Sequence, residues 1–453
     1  MPEASFVAMN PSMTAREAAI DIIQKLTAAG YQALLAGGCV RDALMGREPK
    51  DYDVATSARP EQVIALFPKA QTVGAHFGVV VVRRGEHTIE IATYRKDGAY
   101  TDGRHPESVT FSSPEEDAQR RDFTVNGLFE DPIQGKIIDY VGGQADMQEK
   151  MLRAIGDADQ RFEEDQLRLM RAVRFATVLG FEIETKTWAA VCRLSGKIRS
   201  VSMERLREEF SKTMLHANRV RGFDLFVESG LMGHLLPEIL KLKGCEQPPQ
   251  FHPEGDVFIH TRLMLSLLPE KVSLSLVLSV LFHDIAKPST QTVDENGRIR
   301  FNGHDVVGAR MTDHILHRLK YPNDVIEQTV EAVANHMVFK DVPKMRVAKL
   351  KRFMARPGFE DELELHRVDC LGCHGMLDNY EFVQQKRVEF ANEPLIPPRL
   401  ITGSDLIALG WKPSPALGKV LNAVQTQQLE GKLTTREEAL AWVEANAANL
   451  PEE

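Results

Sequence analysis

The sequence predicts an α+β head, a mixed sheet with helices, followed by a mostly α-helical remainder. Three observations carry this. Near the start, the apolar run Leu34-Leu35-Ala36 feeds Gly37-Gly38 and a helix start, and a second strand follows with Asp51 and Asp53 at i and i+2. Val79–Val82 and Thr88–Tyr94 read as further strands. From about residue 150 to 250 the apolar spacing is helical and strand signal almost vanishes.

At 453 residues the chain is long enough for several domains. Hydrophobic content of 43% and charged content of 26% fit an ordinary globular protein. The five cysteines are scattered, with Cys370-x-x-Cys373 the only close pair and no second pair to complete a zinc knuckle. Reduced thiols in the cytoplasm are the simplest expectation. No basic region followed by an apolar one marks a signal peptide. The longest apolar stretch, Leu274–Phe282, is too short to span a bilayer, so no membrane partner is expected. The net charge is −9. An acidic chain is a poor nonspecific nucleic-acid binder, so any RNA contact must use a local basic surface.

In chain order, residues 1–13 read as a disordered start. Thr14-Ala15-Arg16-Glu17 is a capping box, and Ala18, Ile20, Ile23 and Leu26 keep helical spacing up to Gly30. Pro60 opens a helix through Phe67. The head is expected over 14–145, closing near Gly142-Gly143, with helical segments over 146–215 and 216–250. Gln247-Pro248-Pro249 is a linker. A histidine-rich helical block spans 251–393, and a helical tail spans 394–453 after the break at Pro394–Pro398.

Strand side chains alternate faces, so Asp51 and Asp53 project to one side. Two carboxylates beside a Gly-rich turn can hold magnesium against a triphosphate. A lone D-x-D means little, because a solvated hairpin with two surface acids gives the same pattern. Here Gly37, Gly38, Arg41 and Asp42 precede it within one short segment. In Arg120-Arg121-Asp122-Phe123-Thr124-Val125-Asn126-Gly127 the arginines suit a triphosphate and Asn126 suits a ribose or metal-bound oxygen. The bland alternative is a helix start with surface charges. Glu90, in a strand downstream of Asp53, is a candidate third carboxylate or a solvent-facing one.

Glu163-Glu164-Asp165-Gln166-Leu167-Arg168 falls in a helical run, which places Asp165 and Arg168 one turn apart on one face. A helix-surface ion pair is one reading. The other is base selection. Asp165 accepts the exocyclic amine of cytosine or adenine, and Arg168 donates to cytosine N3 or adenine N1. Guanine and uracil present the reverse pattern, so they leave unpaired buried groups. Arg171 and Arg174 continue the helix as nucleotide-binding candidates, and Ser202 begins the next one, in which Arg205 reaches RNA or the nearby acids. Further on, His260, His283-Asp284, His304, His336 and Asp369 form an ordered set of metal-ligand types. A single histidine of this kind is usually a satisfied core residue, whereas four with two aspartates are a stronger case. His252, His314 and His317 are read as surface residues.

The pattern GG-x-V-R-D-x-L-x-G…D-x-D, the Arg120–Gly127 block and E-D-x-x-R at 164–168 together resemble the polymerase-β-like nucleotidyltransferases, specifically the class of bacterial CCA-adding enzymes and poly(A) polymerases. The family's alanine is glycine at Gly127, and its proline-glycine-proline near the end reads Pro413-Ser414-Pro415. The set H…HD…H…H…D resembles the HD superfamily of metal-dependent phosphohydrolases. The resemblance implies a polymerase-β-like head, a neck over 146–215 carrying the base-selecting helix, a helical body and an HD domain. It implies addition of CCA to tRNA from CTP and ATP, with Asp51 and Asp53 holding two Mg2+ ions and no role for DNA. It also implies that Lys96–Val109 is the family's flexible loop. For the HD site it implies a second divalent metal (Ni, Co, Mn or Mg) and an accessory phosphohydrolase activity. A poly(A) polymerase, a CC-adding enzyme, or an HD phosphohydrolase with an RNA-binding head remain alternatives at this point.

Overall fold

The computed structural model describes residues 13–72, 78–98, 108–248, 253 and 255–446. The expected disordered start, most of the expected flexible loop and His252 fall outside the described residues. The chain divides into two compact units, one ending at Leu235 and the other beginning at Leu236.

In the first unit, helix α1 (Ala15–Ala28) begins with the capping box, in which the Thr14 side chain accepts from Glu17 N–H and the Glu17 carboxylate accepts from Thr14 N–H. Then come β1 (Ala33–Ala36), α2 (Gly38–Leu44), β2 (Asp53–Thr56), α3 (Pro60–Leu66), β3 (Gln71–Thr72), β4 (Val79–Arg84) and β5 (His87–Thr93). A small ribbon of β6 (Arg95–Asp97) and β7 (Val109–Phe111) leads to α4 (Pro114–Gln119), a 3-10 turn at Thr124–Asn126, β8 (Leu128–Asp131), β9 (Lys136–Asp139) and α5 (Gly143–Gln148). Seven strands form one sheet in the order β3-β4-β5-β2-β1-β8-β9. Only the β2–β5 pair in it is parallel; the other neighbours are antiparallel.

Strand alternation sorts the sheet's two faces. Ala33, Leu35, Val54, Val80, Val82, Ile89 and Ile91 pack against Ala18, Ile22, Ile23 and Leu26 of α1. Leu34, Ala36 and Ala55 face the other way, with Tyr94 and Phe129. By the same parity Asp53 sits on the Ala55 face, at the end of β2 where the apolar core stops.

Helical segments follow. A strand of two residues, β10 (Met151–Leu152), precedes α6 (Ala158–Glu164) and α7 (Leu167–Leu179); β11 (Glu182–Ile183) then pairs parallel with β10. These strands are too short to leave a period in the sequence. Next come α8 (Thr185–Leu194), a 3-10 stretch, α9 (Met203–Met214), α10 (Arg219–Glu228) and α11 (Leu231–Leu235). The sequence puts Asp165 and Arg168 in one helical run, but the helix breaks there. Asp165 is extended (φ −138°, ψ 104°) at the end of α6, and its carboxylate accepts from Leu167 N–H at 3.1 Å. An acid that can cap the next helix competes with continuing the previous one.

The second unit is helical: α12 (Pro237–Leu240), α13 (Val257–Leu267), α14 (Leu274–Phe282), α15 (Lys287–Thr290), α16 (His304–Arg318), α17 (Asn323–Asn335), a 3-10 stretch His336–Lys344, α18 (Val347–Met354), α19 (Phe359–Gly372) and α20 (Asp378–Glu389), with three tail helices after them. Between α15 and α16 stands a hairpin of Thr292–Val293 and Ile299–Arg300, closed by Asp294 and by Gly297 at φ 74°. Among the described residues no helix is long and apolar enough to cross a membrane.

Candidate active site and histidine cluster

A cleft of roughly 920 Å³ opens in the first unit. Its wall carries Gly37, Gly38 and Arg41 from the β1–α2 turn, Asp51 and Asp53, and Arg121, Asp122 and Asn126 around the 3-10 turn. Asp165, Arg168, Arg171 and Arg174 come from the α6–α7 segment, and Arg205 from α9. Every nucleotide-site candidate named from the sequence, apart from Glu90, lines this one cleft. Ten Lys/Arg side chains face six Asp/Glu, so a chain of net charge −9 keeps its cations here.

The turn needs its glycines. Gly37 has φ 76°, and a Cβ there would stand 2.8 Å from the Arg121 guanidinium. Arg121 in turn reaches the Asn126 carbonyl and the buried Asp117 carboxylate, at 3.3 and 3.1 Å. Asp117 also holds Arg120, and the sequence reading missed it, since an acid one helical turn before an arginine pair looks like an ordinary surface charge.

Beneath the cleft floor runs a chain of buried polar contacts. Arg41 donates to Asp42 at 2.8 Å and to the Asn126 side-chain oxygen. Asn126 donates to Asp122 at 3.0 Å. Asp122 also accepts from Phe123 N–H and from Arg171, each at 2.8 Å. Burial pushes the Asp122 carboxyl upward, but the Arg171 charge, the Asn126 hydrogen bond and the Arg168 charge outweigh it and hold it down at about 2. Arg174 pairs with buried Glu209, and Arg41, Arg171 and Arg174 all stand over the Phe175 ring, at 5.2, 5.1 and 4.0 Å from its centroid.

The putting together of Asp165 and Arg168 needs correcting. They share the cleft without pairing with each other. Asp165 is 3.3 Å from Arg205. Arg168 is buried and donates to Glu164, to the Arg161 carbonyl and to the Arg120 carbonyl at 3.0, 3.0 and 2.8 Å. Three of its five N–H groups are thus committed, leaving two among the described residues.

Asp51 lies just before β2 rather than within it, while Asp53 is its first residue. Asp53 is directly opposite Glu90 in the parallel β2–β5 register, so the two carboxylates share a face. Glu90 is nonetheless exposed and does not line the cleft. Desolvation against the sheet, then the charges of Glu90 and Asp51, raise the Asp53 carboxyl to about 6, with Arg121 opposing. Asp42, Asp122 and Asp165 each hold an arginine, as does Glu209 nearby. Asp51, Asp53 and Glu90 hold none among the described residues. Crowded oxygen donors without an organic cation fit a divalent metal ion.

Gly127, which replaces the family's alanine, ends the 3-10 turn. A Cβ there would meet Val141 Cγ2 at 2.6 Å. The substitution thus bears on packing against Val141.

In the second unit all six residues of the H…HD…H…H…D set come together. Asp284 is 3.1 Å from His283, 3.4 Å from His304, 4.0 Å from His336 and 2.7 Å from Lys287. His260 meets Asp369 at 3.1 Å. Three ring nitrogens are fixed by main-chain carbonyls: His283 Nδ1 to Val280, His304 Nδ1 to Phe301 and His336 Nδ1 to Val333, at 3.0, 2.7 and 2.6 Å. A carbonyl only accepts, so each Nδ1 carries a proton; His283 Nε2 faces the Asp284 carboxylate, which leaves the Nε2 atoms of His304 and His336 to offer lone pairs. His304 Nε2 and His336 Nε2 then face each other at 3.0 Å. Burial, with the His283 charge, lowers His336 to about 4, so a second proton there is disfavoured. Two lone pairs so placed fit a shared metal ion, and two overlapping groups, His260/His283/Asp284 and Asp284/His304/His336, have ligand atoms close enough for one.

Comparison with known proteins agrees with this organisation. Residues 33–153 match the poly A polymerase head domain, 180–242 the probable RNA and SrmB-binding site of polymerase A, 257–368 the HD domain, and 398–443 the putative tRNA nucleotidyltransferase domain 2. The chain thus has the nucleotidyltransferase fold, with one segment similar to the poly A polymerase head domain and another similar to the HD domain. Within that class its relatives are CCA-adding enzymes. That of Geobacillus thermodenitrificans is 44% identical over 218 residues, 48% of this chain and 54% of that protein. That of Latilactobacillus sakei is 38% identical over 257 residues, 55% of this chain and 64% of that protein. The matched part of the chain thus spans little more than half the length of the curated relatives. The crystal structure of the Bacillus stearothermophilus CCA-adding enzyme in complex with CTP superposes with a TM-score of 0.73 at 28% identity, covering 97% of this chain and 99% of that one. The Thermotoga maritima CCA-adding enzyme complexed with tRNA shares the fold, at a TM-score of 0.59 and 19% identity over 94% of each chain.

Two outcomes follow from the charges of the cleft. Asp122→Ala leaves Arg171 and Asn126 without their acceptor, and should lower the unfolding free energy by about 3 kcal/mol in a urea titration near neutral pH. A depressed carboxyl contributes stability above its unfolded pKa and loses it as pH falls toward the folded one. The gap to wild type should therefore shrink between roughly pH 4 and pH 2. Asp53 has the opposite sign. Its raised carboxyl costs stability as pH rises from about 4 through 6. In EDTA-containing buffer, Asp53→Asn should melt above wild type at pH 7.5 and level with it near pH 4. A Tm difference independent of pH would remove the carboxylate crowding from the account.

Proposed function

We propose that this chain adds C, C and A to the 3′ end of tRNA, taking CTP and ATP and releasing pyrophosphate. The observation that carries the reading is the carboxylate pair Asp51 and Asp53, without arginine partners and with Glu90 opposite Asp53 on the next strand, in a cleft whose other walls are guanidinium-rich. Magnesium bound at Asp51 and Asp53 supplies activation of the attacking hydroxyl and neutralisation of the leaving pyrophosphate. The remaining work falls to the chain. Arg41, Arg121, Arg171 and Arg174, held in place by their carboxylates, present N–H groups to the triphosphate without reorganising. Gly37 and Gly38 leave room for it to approach the backbone. Asp165, held by Arg205, accepts the exocyclic amine of the base. The two uncommitted N–H groups of Arg168 donate to the ring nitrogen beside that amine. A polar site that rejects guanine and uracil by leaving buried groups unpaired needs no nucleic-acid template.

The test is incubation of the pure protein with tRNA lacking its 3′ CCA, magnesium and each nucleotide in turn. Incorporation of C, C and then A is expected. ATP addition to any RNA would mean a poly(A) polymerase, and arrest after two C would mean a CC-adding enzyme. Asp51→Ala or Asp53→Ala should abolish addition with tRNA binding largely intact, because affinity comes from phosphate and shape contacts. Asp165→Ala or Arg168→Ala should slow the reaction and admit UTP and GTP, each lost charged hydrogen bond being worth roughly 1–3 kcal/mol. Full discrimination in both variants would reduce the two residues to a structural role.

A second reading is favoured by the facing Nε2 lone pairs of His304 and His336. We infer that the histidine set binds a divalent metal and hydrolyses phosphate esters, for which a blocked RNA 3′ end is a fitting substrate. Wild-type protein should cleave 2′,3′-cyclic AMP with nickel, cobalt, manganese or magnesium. His283→Ala or Asp284→Ala should lose that activity and spare nucleotide addition. Absence of both hydrolysis and bound metal in the purified wild type would leave the block a structural scaffold.

A further inference from the structure

The segment Lys340–Arg352 in the second unit carries Lys340, Lys344, Arg346, Lys349, Lys351 and Arg352 against one acid, Asp341, in a chain whose net charge is −9. Neither the cleft nor the histidine cluster uses these cations. Two of them are engaged: Lys351 stands 4.9 Å over the Phe390 ring, and Arg352 donates to Thr426. The other four are exposed. Lys344 lies 3.4 Å from Asp341 with 81% of its side chain exposed, a contact that solvent leaves weak. Lys340, Arg346 and Lys349 form no ion pair among the described residues.

The backbone beneath them is fixed. Phe339, Val342, Leu350, Phe353 and Met354 of the same segment are buried in one apolar cluster. The four exposed cations therefore ride on a rigid strip. Their placement is electrostatically unfavourable in the free protein. Arg346 is the N-cap of α18 and Lys349 is in its first turn, where the helix dipole is positive and no acid stands among the first residues. The neighbouring Glu430 accepts from Ala348 N–H at the same helix start and is the one carboxylate recorded there. Cations gathered at a positive helix end, on a framework that does not let them disperse, suit a polyanion.

The strip also begins at the histidine cluster. His336 is the first residue of the 3-10 stretch that contains Lys340 and Lys344. At about 2 Å of rise per residue, Lys340 stands on the order of 8 Å along the axis from His336. The strip and the cluster thus belong to one continuous segment of chain.

We propose that Lys340, Lys344, Arg346 and Lys349 form a docking strip for the phosphate backbone of RNA, delivering a 3′-terminal phosphate to the histidine cluster. The assignment rests on the reading that RNA is this chain's partner. It makes an RNA end a better substrate than a free nucleotide, which is too short to engage both places.

The experiment compares the full-length wild type with K340Q/K344Q/R346Q/K349Q, all at exposed positions outside either site. Binding of a 3′-phosphorylated tRNA acceptor-stem hairpin is followed by fluorescence anisotropy across a salt series, beside hydrolysis of the same hairpin and of 2′,3′-cyclic AMP. The variant should flatten the slope of log K against log salt by about 3, four lost phosphate contacts at somewhat under one ion each. It should raise KM for the hairpin by tenfold or more and leave cyclic AMP hydrolysis at the wild-type rate. An unchanged salt slope overturns the strip. So does a variant that binds the hairpin normally but loses affinity for phosphatidylserine vesicles, which would mark a lipid surface instead. Failure of the wild type to bind the hairpin at all would refute RNA as the partner. Absence of hydrolysis with normal binding would refute the phosphohydrolase reading, and the salt slope would still decide the strip.

Discussion

The cleft depends on one buried carboxylate. Asp122 ties its own 3-10 turn, through Phe123 N–H and Asn126, to the distant helix α7 through Arg171. Asn126 passes the constraint to Arg41, and Arg41 to Asp42 in α2. A buried acid is tolerated only when its oxygens are fully engaged, so these partners cannot drift independently. The glycine turn, the arginine block and the α6–α7 segment are therefore held in one geometry before any ligand arrives. On the proposed reading that is what a transferase needs, because its arginines stabilise developing charge without the cost of moving into place.

Charge in the cleft is sorted into two kinds. Arginines that meet acids are locked in orientation; they still present N–H groups, but their net field is muted. Asp51, Asp53 and Glu90 meet no arginine among the described residues; desolvation first, then the charges of Glu90 and Asp51, push the Asp53 carboxyl up to about 6. A divalent cation relieves that repulsion, whereas a lysine placed among them would have neutralised the group permanently. Leaving the three acids crowded is thus a local destabilisation consistent with a site kept ready for an ion.

Much of this was legible in the sequence because strand parity and residue type carry it. Asp53 and Ala55 share a face, and so do Asp53 and Glu90 once the β2–β5 register is known; the sequence offered the parity of each strand but not the register between them, which depends on a non-local pairing. The Gly37-Gly38 turn and the six histidine-site residues were readable because few folds need those residues in that order. The break between α6 and α7 was hidden, since Glu164, Asp165 and Gln166 are compatible with a continuous helix by spacing. Only the capping hydrogen bond to Leu167 N–H, a local competition that periodicity does not register, separates Asp165 from Arg168. Asp117 and the β10–β11 pair were missed for related reasons: a buried acid looks like an exposed one in sequence, and two-residue strands have no period.

The two candidate sites differ in a way that bears on their metals. The cleft offers carboxylate oxygens alone, and its crowded acids suit a hard cation such as magnesium, which keeps its waters and tolerates few protein ligands. The histidine cluster offers neutral imidazole nitrogens, with Nδ1 protons committed to carbonyls and Asp284 common to both overlapping ligand groups. Nitrogen donors favour the later first-row ions, and the affinity order rises toward nickel and copper. On the proposed reading, the two donor types would favour different ions at the two sites. Lys287 sharpens the contrast. Its ammonium, 2.7 Å from the Asp284 carboxylate and 2.6 Å from Gln247, neutralises part of the cluster's charge in the absence of metal. Lys287 thus offsets part of the Asp284 charge but leaves the facing Nε2 lone pairs of His304 and His336 without a donor between them, so both sites keep groups that a cation would satisfy.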